Sequence, residues 1–325
     1  MAVLACLKES GRALSLPEIS SRLPEHAPER SMRRWLAAWV EEGIVVRTGR
    51  KRGTRYSYAG VQPSGSSLGF LRSLPSHRRA TVLEQIRDLW THTSTALEGN
   101  TLTLGDTHAI LGLGLTVSGK SLHEHQEIVG HARAIDLLYR SLERPLDRDL
   151  IFALHKAVQT DSVQDIYKPI GAWKVEINGA YAVTRSGEQV FVEYADPAHV
   201  DYLMGEMLDF INRFDVDSIT LETAPAVYAK AHMGIVHIHP FWDGNGRTAR
   251  LLANALLLKA GWPPLVIEQK LRRDYIECLA DYQIGVGRLT DRTGVWPNEA
   301  TLVEFDTFCR RAYTATRDII EAAIA

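Results

Sequence analysis

The sequence is organised around one stretch, His239-Pro240-Phe241-Trp242-Asp243-Gly244-Asn245-Gly246-Arg247-Thr248-Ala249-Arg250. Glycines on either side of Asn245 let the backbone turn its N–H groups inward, which makes a nest for an anion. The apolar run from Thr248 to Lys259 is followed by Gly261 and predicts a buried helix with a glycine stop. We therefore expect the nest at a helix N-terminus, where unpaired N–H groups and the helix dipole favour phosphate.

Four side chains of the same stretch add chemistry to this nest. Arg247 and Arg250 are three residues apart, so they share a helix face and can reach the same polyphosphate. Asp243, directly before the nest, is placed to hold Mg²⁺ against phosphate oxygens. His239 is left as the base, and its ordinary pKa of about 6.5 suits proton transfer at neutral pH.

The pattern His-x-Phe-x-Asp-Gly-Asn-Gly-Arg-x-x-Arg, intact here, resembles the signature of the Fic family. Members of that family transfer AMP, or another phosphate-containing moiety, from a nucleotide to a protein hydroxyl. The resemblance implies ATP as substrate, Mg²⁺ held by Asp243 as cofactor, and His239 as the catalytic base. The nucleotide-binding residues that it implies are Gly244, Asn245, Gly246, Arg247, Arg250 and Tyr275.

A second match lies at the end of a helical pattern that runs from Ser76 to Glu98. Ser94-Thr95-Ala96-Leu97-Glu98-Gly99-Asn100 resembles the inhibitory motif of Fic proteins, in which the glutamate pairs with the second motif arginine, here Arg250. Ser94 and Glu98 are one helical turn apart, so both are expected to face the same site. The alternative is a solvated carboxylate. A glutamate at a helix C-terminus opposes the macrodipole, which favours a specific cationic partner.

Two further resemblances concern the target protein and the adenine base of the nucleotide. The segments 171–177 and 188–192 have a β-like composition and resemble the Fic flap, which docks a target by main-chain pairing. Ile177 and Val190 are the flap residues expected to contact the target. Arg272-Arg273-Asp274-Tyr275 resembles the family's helix beside the adenine, and Tyr275 either stacks on the base or belongs to the core.

One motif is interpreted as a coincidence. The segment 114–121 matches the P-loop pattern G-x-x-x-x-G-K-S. A P-loop requires a strand before it and a helix after it. Thr103 and Asp106 instead have the spacing of a capping box, which predicts a short helix through Leu111 where the strand would have to be.

Length and composition are those of a globular protein with room for two domains: 325 residues, 45% hydrophobic and 23% charged. No apolar run approaches the roughly 18 residues that a membrane span needs, and the N-terminus lacks the pattern of a signal peptide. The cysteines, Cys6, Cys278 and Cys309, are odd in number and have no metal-binding spacing. We expect buried thiols in a cytoplasmic protein.

The N-terminal segment has a different charge from the rest. Residues 1–60 contain 11 Lys and Arg against 6 Asp and Glu, a balance of +5 in a chain whose net charge is −2. Three helical patterns followed by a basic hairpin resemble a winged helix-turn-helix over 1–61. The residues expected to contact DNA are Arg33, Arg34, Arg50, Lys51 and Arg52. The alternative is a scaffold for protein contacts with a solvated arginine face.

The sequence thus predicts a mainly α protein: a winged helix-turn-helix, a linker at 62–67, and a Fic helical fold over 68–325 with a small β-hairpin flap and an inhibitory helix at about 76–98. The function implied by the resemblance is autoinhibited transfer of AMP from ATP to a Ser, Thr or Tyr hydroxyl of a target protein or of the chain itself. The alternative is a DNA-binding transcriptional regulator whose Fic domain binds nucleotide without efficient turnover. A homodimer is left open.

Overall fold

The chain forms two compact units, Met1–Ser64 and Gly65–Ala325, each of which has its own fold. The computed structural model describes residues 2–10, 13–23, 27–41, 45–48, 54–58, 68–159, 165–183 and 187–324. Helices dominate both units, which confirms the mainly α fold class. No described helix has the length and apolarity needed to cross a membrane.

The N-terminal unit consists of helices α1 (Ala2–Ser10), α2 (Leu16–Ser20) and α3 (Glu29–Glu41) and the antiparallel strands β1 (Val45–Thr48) and β2 (Arg55–Tyr58). A capping box between Ser15 and Glu18 starts α2. Met32 and Leu36 of α3 are buried in the core of this unit. The order of elements is the one expected from the sequence.

The residues expected to contact DNA are only partly described. Arg33 and Arg34 are exposed on α3, and Arg33 forms an ion pair of 2.6 Å with Glu29, which lowers the net charge of that face. Arg50, Lys51, Arg52 and the linker 62–67 lie outside the described residues. DNA binding therefore stays a prediction.

The second unit is built from helices and one hairpin. Its helices are α4 (Ser76–Leu97), α5 (Leu104–Leu113), α6 (Leu122–Ser141), α7 (Arg148–Val158), α8 (Pro197–Arg213), α9 (Ala224–Ile238), α10 (Asn245–Lys259), α11 (Arg272–Val286), α12 (Val303–Ala312) and α13 (Ala315–Ile324), and its strands are β3 (Gly179–Val183) and β4 (Gln189–Glu193). Helices α9 and α10 pack against each other at the centre, and α4, α6 and α7 contact α10.

The loop between α9 and α10 carries the central sequence motif. Most side chains of both helices are buried, because their sequences are apolar on nearly every face. Helix α9 ends where His239 takes a left-handed conformation, with φ 54° and ψ 58°. Helix α10 begins after Gly244, which is also left-handed at φ 75°. The motif is therefore held between two of the most buried helices of the unit.

The P-loop match has no P-loop structure, as the sequence predicted. Helix α5, started by the capping box of Thr103 and Asp106, runs directly up to Gly114, so a helix stands where a P-loop needs a strand. The P-loop lysine, Lys120, donates to the carbonyl and hydroxyl oxygens of Thr101 at 2.8 and 2.6 Å. Its role in the described structure is to tie the loop before α6 to the segment after α4.

The first flap strand differs from the prediction. It spans Gly179–Val183, not 171–177, and pairs with β4 in a register that sets Tyr181 opposite Phe191. The earlier segment looked strand-like because it is apolar, but Trp173 packs on Phe241 of the motif loop instead of pairing. Ile177 consequently lies outside the hairpin, whereas Val190 lies within β4.

We predict opposite effects of alanine at two glycines of this unit. A Cβ on Gly69 would lie 2.5 Å from the Cα of Gly261, a backbone atom that cannot move aside cheaply. Gly69→Ala should therefore lower the free energy of unfolding by about 1–3 kcal/mol. The control is Gly205→Ala on the exposed face of α8, where the added methyl meets no atom within 4 Å and raises helix propensity. Denaturant titration measures both, and equal effects would contradict the packing argument.

Candidate active site

His239 presents one unprotonated ring nitrogen at the end of α9. Its Nδ1 lies 3.3 Å from the carbonyl oxygen of Val236, which can only accept, so Nδ1 carries the proton and Nε2 is the free base. The ring stacks on Tyr194 at 3.7 Å with an interplanar angle of 1°. Burial, followed by the charge of Lys174, lowers the pKa of His239 to about 3. The imidazole is therefore neutral at pH 7, and it is a weaker base than the sequence suggested.

The turn after His239 is closed by the side chain of Asn245. Its Oδ1 accepts from the N–H of Phe241, and its Nδ2 donates to the carbonyl oxygen of Phe241, both at 2.9 Å. Because this pairing turns the side-chain amide towards the backbone of Phe241, the contribution of Asn245 to an anion site is its backbone N–H. That N–H and those of Gly246 and Arg247 open α10, ahead of the first intrahelical bond from Thr248 to Gly244.

Three residues from outside the motif hold the carbonyl groups of the loop. The N–H of Lys174 donates to Pro240 at 2.9 Å, and Nδ2 of Asn178 donates to Phe241 at 3.1 Å. His155 donates from Nε2 to the carbonyl of Asp243 at 2.9 Å. The loop therefore depends on α7 and on the segment before β3.

Arg250 is occupied by the end of α4. Its Nε donates to Oγ of Ser94 at 2.9 Å, and its Nη2 donates to the carbonyl of Ser94 at 2.9 Å and to Oε1 of Glu98 at 2.6 Å. Nη1 lies 3.3 Å from the hydroxyl of Tyr275. Although burial acts in the opposite direction, Glu98 raises the pKa of Arg250 above its usual value. Ser94 and Glu98 thus contact the same arginine, as their spacing predicted.

Asp243 is not part of the contacts between Arg250 and the end of α4, and its side chain is accessible. Its side chain is 68% exposed, and its Oδ2 lies 3.5 Å from Nη2 of Arg247 and 3.3 Å from Nε2 of Gln159. Burial opposes ionisation, but the Arg247 guanidinium and these hydrogen bonds keep the pKa of the carboxyl below its usual value. The carboxylate is therefore ionised at neutral pH and open to a cation.

The ligands available around Asp243 fit Mg²⁺ better than a metal ion whose ligands are all protein side chains. Among the described residues no group of three or more His, Cys, Asp or Glu side chains could hold a metal ion. Mg²⁺ is commonly held by one or two carboxylates, with phosphate oxygens and water completing its shell. One exposed carboxylate next to an anion nest meets that requirement.

The site geometry agrees with a comparison against protein families. Residues 145–257, which include α7, the flap and the whole motif, match the model of the Fic/DOC family. Residues 145–257 match a Fic domain.

Known proteins with this domain resemble a larger part of the chain. The protein adenylyltransferase fic-1 of Caenorhabditis elegans is 34% identical over 200 residues, which are 61% of this chain and 37% of that protein. The protein adenylyltransferase Fic of Nematostella vectensis is 35% identical over 213 residues, 62% of this chain and 46% of that one. This chain therefore matches less than half the length of these two relatives.

A solved structure extends the likeness in fold. A Fic domain containing signalling protein from Bacteroides thetaiotaomicron has a TM-score of 0.66 and 27% identity, covering 80% of this chain and 93% of that one. A fragment of Fic-1 from Caenorhabditis elegans superimposes with a TM-score of 0.57 at 22% identity, covering 99% of this chain and 81% of that fragment. The Fic fold expected from the sequence is confirmed.

Tyr275 does not offer its ring to a nucleotide base. The residue is only 2% exposed, and its ring packs among Phe305 and Phe308. Its hydroxyl contacts Arg250 and lies 3.1 Å from Nε2 of His232. Of the two alternatives given by the sequence, the core role is the one observed, since an apolar neighbourhood surrounds the ring. Tyr275 supports an arginine of the Fic motif.

Several supports of the Fic motif were missed by sequence reasoning. Tyr194, Lys174 and His155 carry no local signal, because their partners in the motif are distant in sequence. Lys174 is buried and donates from Nζ to Oδ1 of Asn178 at 2.6 Å. Glu127 lies 3.2 Å from Nη1 of Arg247, although the two residues are 120 positions apart in the sequence. Those contacts follow from the packing of whole helices.

Buried histidines should make this unit sensitive to acid. Burial lowers the pKa of His155 and His237 to about 4, and those of His131 and His232 well below 6.5. Because folded pKa values lie below unfolded ones, the stabilisation is fully present above about pH 6.5 and is lost as pH falls towards 4. Each histidine that takes up a proton only on unfolding makes the free energy of unfolding change by about 1.4 kcal/mol per pH unit.

The test compares denaturant unfolding at pH 7, 6 and 5 for two phenylalanine variants. His131→Phe should flatten the slope by about one proton. The control is the same substitution at His77, an exposed position of α4. Parallel curves for both variants and the parent would contradict the assignment of a neutral His131.

Proposed function

We propose that this chain transfers AMP from ATP to a Ser, Thr or Tyr hydroxyl of a protein, and that its own helix α4 holds the activity low. The observation that carries the proposal is a neutral histidine base beside the N-terminus of α10, where two arginines meet. This arrangement combines proton removal with binding of a polyphosphate, the two requirements of nucleotidyl transfer. The resemblance to protein adenylyltransferases supports the same reaction class.

His239 begins the reaction by accepting a proton. The acceptor hydroxyl gives its proton to Nε2 while its oxygen forms a bond to the α-phosphorus of ATP. The bond from that phosphorus to the β-phosphate bridge breaks, and pyrophosphate leaves. The stacking of Tyr194 and the Nδ1 contact with Val236 hold the ring, so little reorientation is needed during the step.

Charge on the phosphates is met by donors that are already in position. The N–H groups at the start of α10 and the guanidinium of Arg247 stabilise negative charge on the α- and β-phosphates. Asp243 would hold Mg²⁺, which supplies further neutralisation of phosphate charge when bound. Arg250 is the partner proposed for the γ-phosphate.

The closed state follows from the occupancy of Arg250. Glu98 already takes its Nη2, and a Cβ on Gly246 would lie 2.4 Å from Oε1 of Glu98. The glutamate therefore fills the space directly above the first turn of α10, where a terminal phosphate would need to lie. A carboxylate there repels phosphate by charge and blocks it by volume.

Label transfer from ATP tests the proposal. With Mg²⁺, Glu98→Gly should incorporate label from α-labelled ATP at least tenfold faster than the parent chain, because the triphosphate can align for attack. Label at the γ-position should not be incorporated. The matched control is Glu84→Gly, which places the same substitution on an exposed position of α4 and should stay as slow as the parent.

Two added variants assign the roles within the activated chain. Adding His239→Ala to Glu98→Gly should reduce transfer by about 10²–10⁴ while ATP binding persists. Adding Arg250→Ala should return the rate towards that of the parent, because the γ-phosphate loses its partner. Binding of ATP by every variant with transfer by none would favour the alternative, a regulator that senses nucleotide without turnover.

The pH profile of Glu98→Gly gives an independent check on the base. A pKa of about 3 keeps His239 deprotonated as the pH falls, so the transfer rate should change less than about twofold from pH 7.5 to 5.5. A histidine with an ordinary pKa of about 6.5 would lose about tenfold over the same range. ATP affinity is measured at each pH to separate binding from transfer. A tenfold fall in rate at constant affinity would show that burial does not lower this pKa.

A further inference from the structure

Arg247 is a buried guanidinium with one edge fully bound to protein and the other edge only partly partnered. The residue is 5% exposed. Its Nη1 donates to Oε1 of Glu127 at 3.2 Å and to the carbonyl oxygen of Val158 at 3.0 Å, which uses both hydrogens on that nitrogen. Its Nη2 lies 3.5 Å from Asp243, and its buried Nε has no hydrogen-bond partner among the described residues.

This division of donors decides how Arg247 can bind an anion. A guanidinium recognises an oxyanion best through two parallel N–H groups on one edge. With Nη1 committed to Glu127 and Val158, the Nε–Nη2 edge is the one that remains. A buried donor without an acceptor is costly, so the orphaned Nε favours a ligand oxygen at this position.

Glu127 is itself held in a fixed orientation. The residue is 9% exposed, and its Oε2 accepts from Nδ2 of Asn100 at 2.9 Å. Asn100 is fixed in turn, since its Nδ2 also donates to the carbonyl of Glu124 at 3.1 Å and its Oδ1 accepts from the N–H of Leu102 at 3.0 Å. Asn100 lies two residues after Glu98. The end of α4 therefore contacts Arg250 directly and reaches Arg247 through one carboxylate.

We propose that Glu127 is a positioning residue for nucleotide binding, which fixes the edge that Arg247 presents to the diphosphate part of an adenine nucleotide, and that Asn100 fixes Glu127. The proposal rests on the proposed function for the identity of the ligand. A carboxylate is needed at this position because both of its oxygens must accept, one from Arg247 and one from Asn100. An amide cannot satisfy both donors, whichever way it is turned.

The experiment measures affinity of the full chain for Mg·ADP and for adenosine, by calorimetry and by displacement of fluorescent ADP. Glu127→Gln should weaken Mg·ADP about tenfold or more, and Asn100→Ala about threefold, since it acts one contact further away. Adenosine, which has no phosphate, should bind all variants alike. The matched control is Glu124→Gln, on the same helix, which accepts from Thr101 and does not contact Arg247.

A structural salt bridge alone would give a different result. If Glu127→Gln lowers the melting temperature but binds Mg·ADP as the parent does, the assignment is overturned. If adenosine weakens in parallel with Mg·ADP, the effect is on the whole site and the assignment is also overturned. If Glu127→Gln does not fold, the comparison of Asn100→Ala with the control Glu124→Gln decides instead. Equal affinities of these two variants for Mg·ADP would overturn the assignment.

The outcome is separable from that of the proposed function. Loss of Mg·ADP affinity in Glu127→Gln supports the positioning role even when no variant transfers label, a result that would remove the transferase proposal alone. Transfer by Glu98→Gly with unchanged affinity in Glu127→Gln would keep the transferase and remove the positioning role. Absence of Mg·ADP binding by the parent chain overturns both.

Discussion

The loop between α9 and α10 depends on one pair of hydrogen bonds, between the side-chain amide of Asn245 and the backbone of Phe241. Asn245 both accepts from and donates to Phe241, and these two hydrogen bonds close the turn after His239. That geometry sets where α10 begins and where its first N–H groups point. Lys174 and His155 bind the carbonyl groups of Pro240 and Asp243, and Asn178 adds a second donor to the carbonyl of Phe241. A left-handed histidine is tolerated here because its surroundings leave it no alternative.

The second constraint is the burial of two positive charges on one helix. Arg247 and Arg250 are both nearly inaccessible, and a buried guanidinium requires acceptors. Each receives a carboxylate from a different helix: Glu127 from α6 and Glu98 from the end of α4. The difference between them is accessibility, because the Glu98 side chain is 38% exposed and that of Glu127 is 11% exposed. One carboxylate belongs to the interior, and the other lies at its edge.

Much of the centre could be predicted because its signals are local. Glycines beside Asn245, arginines three apart and a serine one turn before Glu98 each determine geometry within a few residues. The supports could not be predicted, because Glu127 and Arg247 meet only after α6 and α10 pack. Apolar composition also misled the strand prediction, since Trp173 is anchored to the motif loop and does not pair in the hairpin. The same limit explains Tyr275, whose burial depends on α12.

The contact between Glu98 and Arg250 is intramolecular, and this has a consequence for any anion that competes for the arginine. A tethered carboxylate has an effective concentration that is set by the stiffness of its helix and not by the amount of protein present. A dissolved competitor gains only logarithmically with its own concentration. For an anion that must displace Glu98 from Arg250, a change in its own concentration is therefore a weak means of gaining access. Fraying or displacement of the last turn of α4 is a strong one, because it lowers the effective concentration of the carboxylate itself.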